Sequence, residues 1–293
     1  MTITRRGMLR WTACGLTVAA AALSWLLLDG ATSSARAQGK LEQLRQQGFA
    51  RIAIANEPPY TEVTPDGKVT GAAPEVARAV LEKLGIPEIV ASISEYGAMI
   101  PGLQAGRFDL VTAGLFINPE RCAAVLFSEP DLCDAKAFAV KKGNPLGLLT
   151  YEDIAESETA SVGVPGGSTE ERLALEAGVP RDRVIVAPDG PSGIKMLQDE
   201  RIDVYTLPTL SIHDLLEKAD DPNLEMVSPV EGTPVFCAGA AFAKDAADFR
   251  DAYDAVLKEI KESGKFAEIV SEFGFPAEAV ELTSREELCG GPN

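Results

Sequence analysis

The stretch Gly106-Arg-Phe-Asp-Leu-Val-Thr-Ala-Gly-Leu-Phe-Ile-Asn-Pro-Glu-Arg121 decides the fold. Phe108 to Thr112 reads as a short buried strand, Gly114 as a turn, and Asn118-Pro119 as the N-cap and first position of a helix. In an open α/β sheet, ligands bind beyond the carboxyl ends of the strands. Arg121, one turn into that helix, is therefore placed to hold a carboxylate through two parallel hydrogen bonds. As a surface residue it would gain nothing from the helix dipole, which favours anions at this end.

Working outward, the same strand–loop–helix order recurs. Leu41 to Phe49 reads as a helix, Ala50 to Ala55 as a strand, and Asn56-Glu57-Pro58-Pro59-Tyr60 as its end loop, where prolines forbid further ladder pairing. Thr64-Pro65-Asp66-Gly67 is a turn signal. Val76, Ala79, Val80 and Leu84 fall at helical spacing before Gly85. Ile89 to Ile93 is a strand, Ser94 to Gly97 its loop, and Met99 to Ala105 a helix. A second β-α-β pattern follows, with a strand over 161–164, Gly166-Gly167-Ser168-Thr169 opening a helix, and strands over 184–187 and 202–205. Ala246 to Ser263 is a long amphipathic helix.

Alternating strands and helices argue for α/β sheets that are mostly parallel, with right-handed crossovers. Two such units joined by two extended crossings predict a two-lobed fold with the second lobe inserted into the first. The expected bounds are 38–139 plus 235–293 for one lobe and 140–234 for the other. The cleft between them can close on a ligand by hinge motion.

The 293 residues carry a formal net charge of −17 and 46% hydrophobic residues. That supports a packed core and disfavours nucleic acid or anionic membrane surfaces as partners. Arg5, Arg6 and Arg10 precede an apolar run from Trp11 to Leu28, and Ala35-Arg36-Ala37 is a small-x-small cleavage signal. Residues 1–37 thus read as a signal peptide rather than a membrane anchor, with Gln38 starting the mature chain. The Thr-Arg-Arg order resembles a twin-arginine export signal, a general secretory signal being the alternative. Export permits disulfides. Of Cys122, Cys133, Cys237 and Cys289, the short separation of Cys122 and Cys133 makes that the expected pair.

The strand-end loops offer an unusual set of groups. Glu57 and Tyr60 come from the first, Tyr96 from the second, and Phe116 and Arg121 from the third. Ser168 and Thr169 head a helix whose N-terminus suits an anion. Carboxylate and rings together suit a small cation. The combined preference is for a compact zwitterion, its carboxylate on Arg121 and its cation on Glu57 and the rings. Each residue has an ordinary alternative, since aromatics are usually buried for their area and a single Glu is usually solvated. No catalytic set is visible, and His213, the chain's one histidine, sits in a predicted helix away from strand ends. No metal or cofactor is expected, since Cys/His clusters are missing and Gly166-Gly167 lacks the following Lys of a P-loop.

Taken together, Gly67…Gly71…Glu75, Met99 to Asp109, Pro119-Glu-Arg121…Phe127-Ser-Glu-Pro130 and Gly163-Val…Gly167-Ser-Thr169 resemble the solute-binding proteins of ABC importers for polar amino acids. The resemblance covers residues 40–275. It implies a type II periplasmic-binding fold, a monomer, a periplasmic location and a membrane permease as partner. It also implies that Arg121, helped by Ser168 and Thr169, takes a ligand carboxylate. Two departures matter. Phe116 stands where such proteins usually carry a hydroxyl, and Tyr205-Thr-Leu-Pro-Thr209 lacks the usual Asp that pairs with an α-ammonium. With Glu57 and the aromatics in their place, the chain resembles the ectoine- and hydroxyectoine-binding members of the family. Binding of a polar or cationic amino acid is the alternative, and a cyclohexadienyl-type dehydratase on the same fold, with Glu57 as its acid/base, a further one.

Overall fold

The computed structural model describes residues 39–291; the leader, its cleavage signal and Cys14 lie outside the described residues. The chain starts with a helix over Lys40–Gln47 that leads into β1 (Phe49–Ile54). Thr64 to Gly67 turns the hairpin of β2 (Glu62–Val63) and β3 (Val69–Thr70). The helix Ala72–Lys83 buries Val76, Ala77, Val80 and Leu81 along one face, as its spacing predicts. β4 (Glu88–Ile93) and β5 (Leu110–Val111) flank β1, both parallel to it, with the helix Tyr96–Gln104 between them in sequence.

After the helix Pro119–Ala124 come β6 (Leu126–Phe127) and β7 (Leu132–Asp134), and the chain crosses into the second lobe at Ala135. There β8 (Lys136–Lys141), β9 (Val162–Pro165), β10 (Val184–Ala187), β11 (Val204–Pro208) and β12 (Leu224–Val227) form a sheet in the order β10-β9-β11-β8-β12. β9, β10 and β11 are parallel, and β8 runs antiparallel to β11 and β12. β8 pairs with β11 from its first residue, Lys136 opposite Pro208, to Val140 opposite Val204. The crossing therefore precedes the expected 139/140 boundary. The chain then returns as β13 (Phe236–Ala238), paired with β7, and β14 (Ala241–Phe242). β14 completes the first sheet in the order β4-β1-β5-β14-β6.

Each sheet is covered on both faces, as parallel strands require. In the first lobe, one side packs Leu44, Val80, Phe249, Tyr253 and Leu257, and the other Met99, Leu103, Phe108 and Val125. In the second, Tyr151 and Ile154 lie in one core, and Ile194, Leu197 and Ile212 in another.

The disulfides differ from expectation. Cys133 bonds Cys237, and Cys122 bonds Cys289. Cys133 on β7 lies directly opposite Cys237 on β13 in the antiparallel register. Cys122, on the helix that carries Arg121, faces the short helix Arg285–Leu288 near the C-terminus. Short separation along the chain is the wrong guide, because strand pairing brings Cys133 to Cys237 and the packing of two helices brings Cys122 to Cys289.

Among the described residues, no helix is long and apolar enough to cross a membrane, and no cluster of His, Cys, Asp and Glu could hold a metal ion.

Candidate functional site

The loops after β1, β4, β5, β9 and β11 leave the carboxyl ends of parallel strands and meet where the lobes touch. Direct contacts hold the cleft closed. Gly97 N–H donates to Gly166 O at 3.2 Å, Arg121 Nη2 to Gly167 O at 3.1 Å, and Ser211 Oγ to Glu57 Oε1 at 3.0 Å. Gly167, at φ 72°, meets Gly97 backbone to backbone. A Cβ on Gly167 would come within 2.4 Å of the Gly97 Cα, so only glycine permits this approach.

Between the lobes lies a small cavity lined by Glu57, Tyr96, Phe116, Arg121, Ser168, Thr169, Glu170 and Pro208. Six of the seven residues singled out in the sequence meet there. Tyr60 does not. It lies one layer back, 1% exposed, edge-on to Phe275 at 4.7 Å and to Phe116 at 6.3 Å between ring centroids. Gly114 presses so close to its ring that a Cβ there would sit 2.3 Å from Tyr60 Cδ1. Close packing around the ring keeps Tyr60 off the wall. The expected three-ring cage is, in this closed form, two wall rings with the third supporting Phe116.

Glu57 is 9% exposed and carries two hydroxyl contacts, from Ser211 and, at 3.4 Å, from Tyr96. Desolvation, and then the nearby Glu170 carboxylate, push its pKa up to about 7. Burial also holds the Tyr96 hydroxyl well above its usual value, so it stays a donor; it reaches the Ala113 carbonyl at 3.2 Å as well.

Arg121 is set by its helix. Asn118 Oδ1 accepts from Arg121 N–H at 2.8 Å, the N-cap its sequence predicts. The guanidinium donates Nη1 to Phe116 O at 2.8 Å and Nη2 to Gly167 O, spanning the lobes. An incoming carboxylate can take over both donors. Ser168 caps the helix Thr169–Glu176 by accepting from Glu171 N–H at 3.1 Å, which leaves its own O–H to give. Thr169 Oγ1 is buried with no hydrogen-bond partner. An orphaned hydroxyl on a cavity wall awaits a polar atom.

Sequence reasoning missed Lys136, Glu170 and Ser211. Lys136 is wholly buried and pairs with Glu170, its Nζ 3.7 Å from the Phe116 ring centroid and 4.8 Å from that of Phe236. Glu170 in a first helical turn is indistinguishable in sequence from an ordinary dipole-favoured acid, and a Lys opening a strand carries no signal at all. His213 is exposed on the helix Thr209–Ala219. Val204 to Pro208 places no carboxylate on the wall.

Comparison with known proteins agrees with this architecture. The family model described as bacterial extracellular solute-binding proteins, family 3, matches residues 50–276. The crystal structure of EhuB in complex with hydroxyectoine is 64% identical in sequence and superposes with a TM-score of 0.86, covering 87% of this chain and all of that one. A probable amino-acid ABC transporter periplasmic-binding protein of Sinorhizobium fredii, y4tE, is 34% identical over 260 residues, 85% of each chain. A cyclohexadienyl dehydratase of Pseudomonas aeruginosa is 27% identical over 71% of this chain and 76% of its own. On the match across residues 50–276 and the two-lobed α/β fold that frames this cleft, the chain belongs to the bacterial extracellular solute-binding proteins, family 3.

Proposed function

We propose that this solute-binding protein captures ectoine and hydroxyectoine outside the cytoplasm and delivers them to the permease of an ABC importer, working as a monomer and without turnover. One observation carries the reading. A guanidinium and a desolvated carboxylate, Arg121 and Glu57, both line one closed cavity whose other wall groups are rings, hydroxyls and a charge already paired within the chain. The likeness to a protein crystallised with hydroxyectoine supports it.

Ectoine joins a carboxylate to a ring whose amidinium charge is delocalised. In this reading the carboxylate displaces the Arg121 contacts to Phe116 O and Gly167 O, and the Thr169 and Ser168 hydroxyls complete its shell. The flat cation lies against Tyr96 and Phe116, backed by Tyr60, and donates N–H bonds to Glu57. An α-amino acid would bring a compact ammonium to Pro208, where no acid receives it. Residues 1–37 would serve as the export signal, by the twin-arginine route that the Arg5-Arg6 pair favours.

Calorimetric titration of residues 38–293 with ectoine, hydroxyectoine, proline betaine, arginine and glutamine tests this. Binding far tighter for the ectoines than for the other three is expected. Tight binding of arginine or glutamine with no ectoine signal would transfer the site to amino acids. A second reading has its own support, because an acid poised near neutrality is what a general acid/base requires and Glu57 is such a group. Turnover of a cyclohexadienyl acid, abolished in Glu57→Gln, would establish a dehydratase instead.

A further inference from the structure

Four charged side chains crowd the closed cleft: Glu57, Arg121, Lys136 and Glu170. Two of them answer the two charges of a zwitterion. The other two answer each other within the second lobe. Lys136 opens β8 of the second lobe and Glu170 sits in the helix Thr169–Glu176 of the same lobe. The Lys136 ammonium, however, rests on rings of the first lobe, 3.7 Å from the Phe116 centroid and 4.8 Å from that of Phe236. Both Glu170 and Phe116 are cavity wall residues. The ammonium is 0% exposed, so solvent does not share in its neutralisation.

We propose that Lys136 is a specificity-determining residue: its ammonium is a built-in cation that occupies the Glu170 carboxylate and the face of Phe116, and so limits the site to ligands with a single positive charge. This rests on the zwitterion reading of the cavity and goes beyond it by saying what excludes dications. A ligand carrying a second cation would meet a wall whose acid is already paired and whose Phe116 ring already holds a cation on one face. It would be desolvated without compensation. A pair that served stability alone would leave ligand charge selectivity untouched when altered.

The test holds ligand size constant and varies charge. Arginine and citrulline have nearly the same shape, and arginine carries one more positive charge. Their dissociation constants are measured at pH 8 by calorimetry, or by displacement of ectoine, for wild type, Lys136→Met and the double variant Lys136→Met/Glu170→Gln. In Lys136→Met the unpaired Glu170 seeks a cation. The arginine preference over citrulline should then rise by about tenfold or more. The double variant removes that carboxylate as well, and the ratio should fall back to near the wild-type value. A folded Lys136→Met with an unchanged ratio, or with no binding of either ligand, overturns the proposal. So does a double variant that keeps the gain, since space and not charge would then be responsible. If Lys136→Met does not fold, Glu170→Gln makes the opposite change and frees the ammonium. The preference for glutamate over glutamine should then rise by a similar factor, and an unmoved ratio overturns the proposal. Ectoine binding by the wild type, measured alongside, reports separately on the reading of the site itself.

Discussion

Replacing Glu57 by Gln should stabilise the ligand-free protein and abolish most of its affinity, two effects of opposite sign from one atom change. Glu57 lies in a closed cavity, where desolvation raises its pKa from 4.5 to about 7. An acid whose folded pKa is raised binds its proton more tightly in the folded state. Its ionisation therefore destabilises the fold, with no penalty below pH 4.5, a growing one up to pH 7, and the full one above. Each pKa unit is about 1.4 kcal/mol, so the full penalty has an upper bound of about 3.5 kcal/mol. Gln keeps the shape and the contacts, because the Ser211 and Tyr96 hydroxyls can each accept as well as donate. Glu57→Gln should melt several degrees higher than wild type at pH 8, at roughly 2–4 °C per kcal/mol for a chain of this size, and no higher at pH 4.5. Losing the charge opposite a buried ligand cation should meanwhile weaken ectoine binding by about 2 kcal/mol or more, at least ~30-fold. In wild type the same titration makes binding pH-dependent. If the ionised form alone pairs with the cation, affinity at pH 5.5 should be roughly 30-fold below its plateau above pH 8. Melting curves across pH, with calorimetry beside them, read both arms. Equal melting temperatures at pH 8 together with unchanged ectoine affinity would refute the desolvated-carboxylate argument.

Other perturbations separate the parts of the site. Arg121→Ala removes the guanidinium that bridges Phe116 O and Gly167 O and should weaken ectoine binding well over tenfold by calorimetry, since the carboxylate is left unpaired. Thr169→Val replaces a buried, partnerless hydroxyl, so melting should be unchanged or slightly raised while ectoine affinity falls several-fold. Gly167→Ala adds a Cβ 2.4 Å from the Gly97 Cα; solution scattering with saturating ectoine should show incomplete closure, and affinity should drop about tenfold or more. Cys289→Ser frees the helix that carries Arg121 from the C-terminal segment, and should lower the melting point and weaken ectoine binding several-fold, while the buried Cys133–Cys237 bond remains.

The fold and much of the site were legible because both follow from local rules. β1 and β4 announce themselves by composition and their following loops, and parallel strands deliver those loops to one edge. Glu57, Tyr96, Phe116, Arg121, Ser168 and Thr169 all come from such loops, and the Asn118 cap that aims Arg121 is written in four consecutive residues. What escaped is what depends on pairing across the chain. Lys136 and Glu170 are 34 residues apart, Ser211 lies 154 residues from Glu57, and none of these three carries a signal until its partner is in place. The cysteines failed for the same reason, since Cys133 meets Cys237 by pairing of strands 104 residues apart along the chain. Tyr60 was expected on the wall, yet the contact of Gly114 with its ring, which keeps it behind Phe116, exists only in three dimensions.

A crystal structure of residues 38–293 grown with ectoine would test the central claim most directly. The account predicts the ligand carboxylate on Arg121 and the Thr169 hydroxyl, the amidinium N–H groups on Glu57, and the ring against Tyr96 and Phe116, with Lys136 still on Glu170. Ectoine bound with its carboxylate away from Arg121, or seated outside the cleft with Glu57 still on Ser211 and Tyr96 alone, would contradict it.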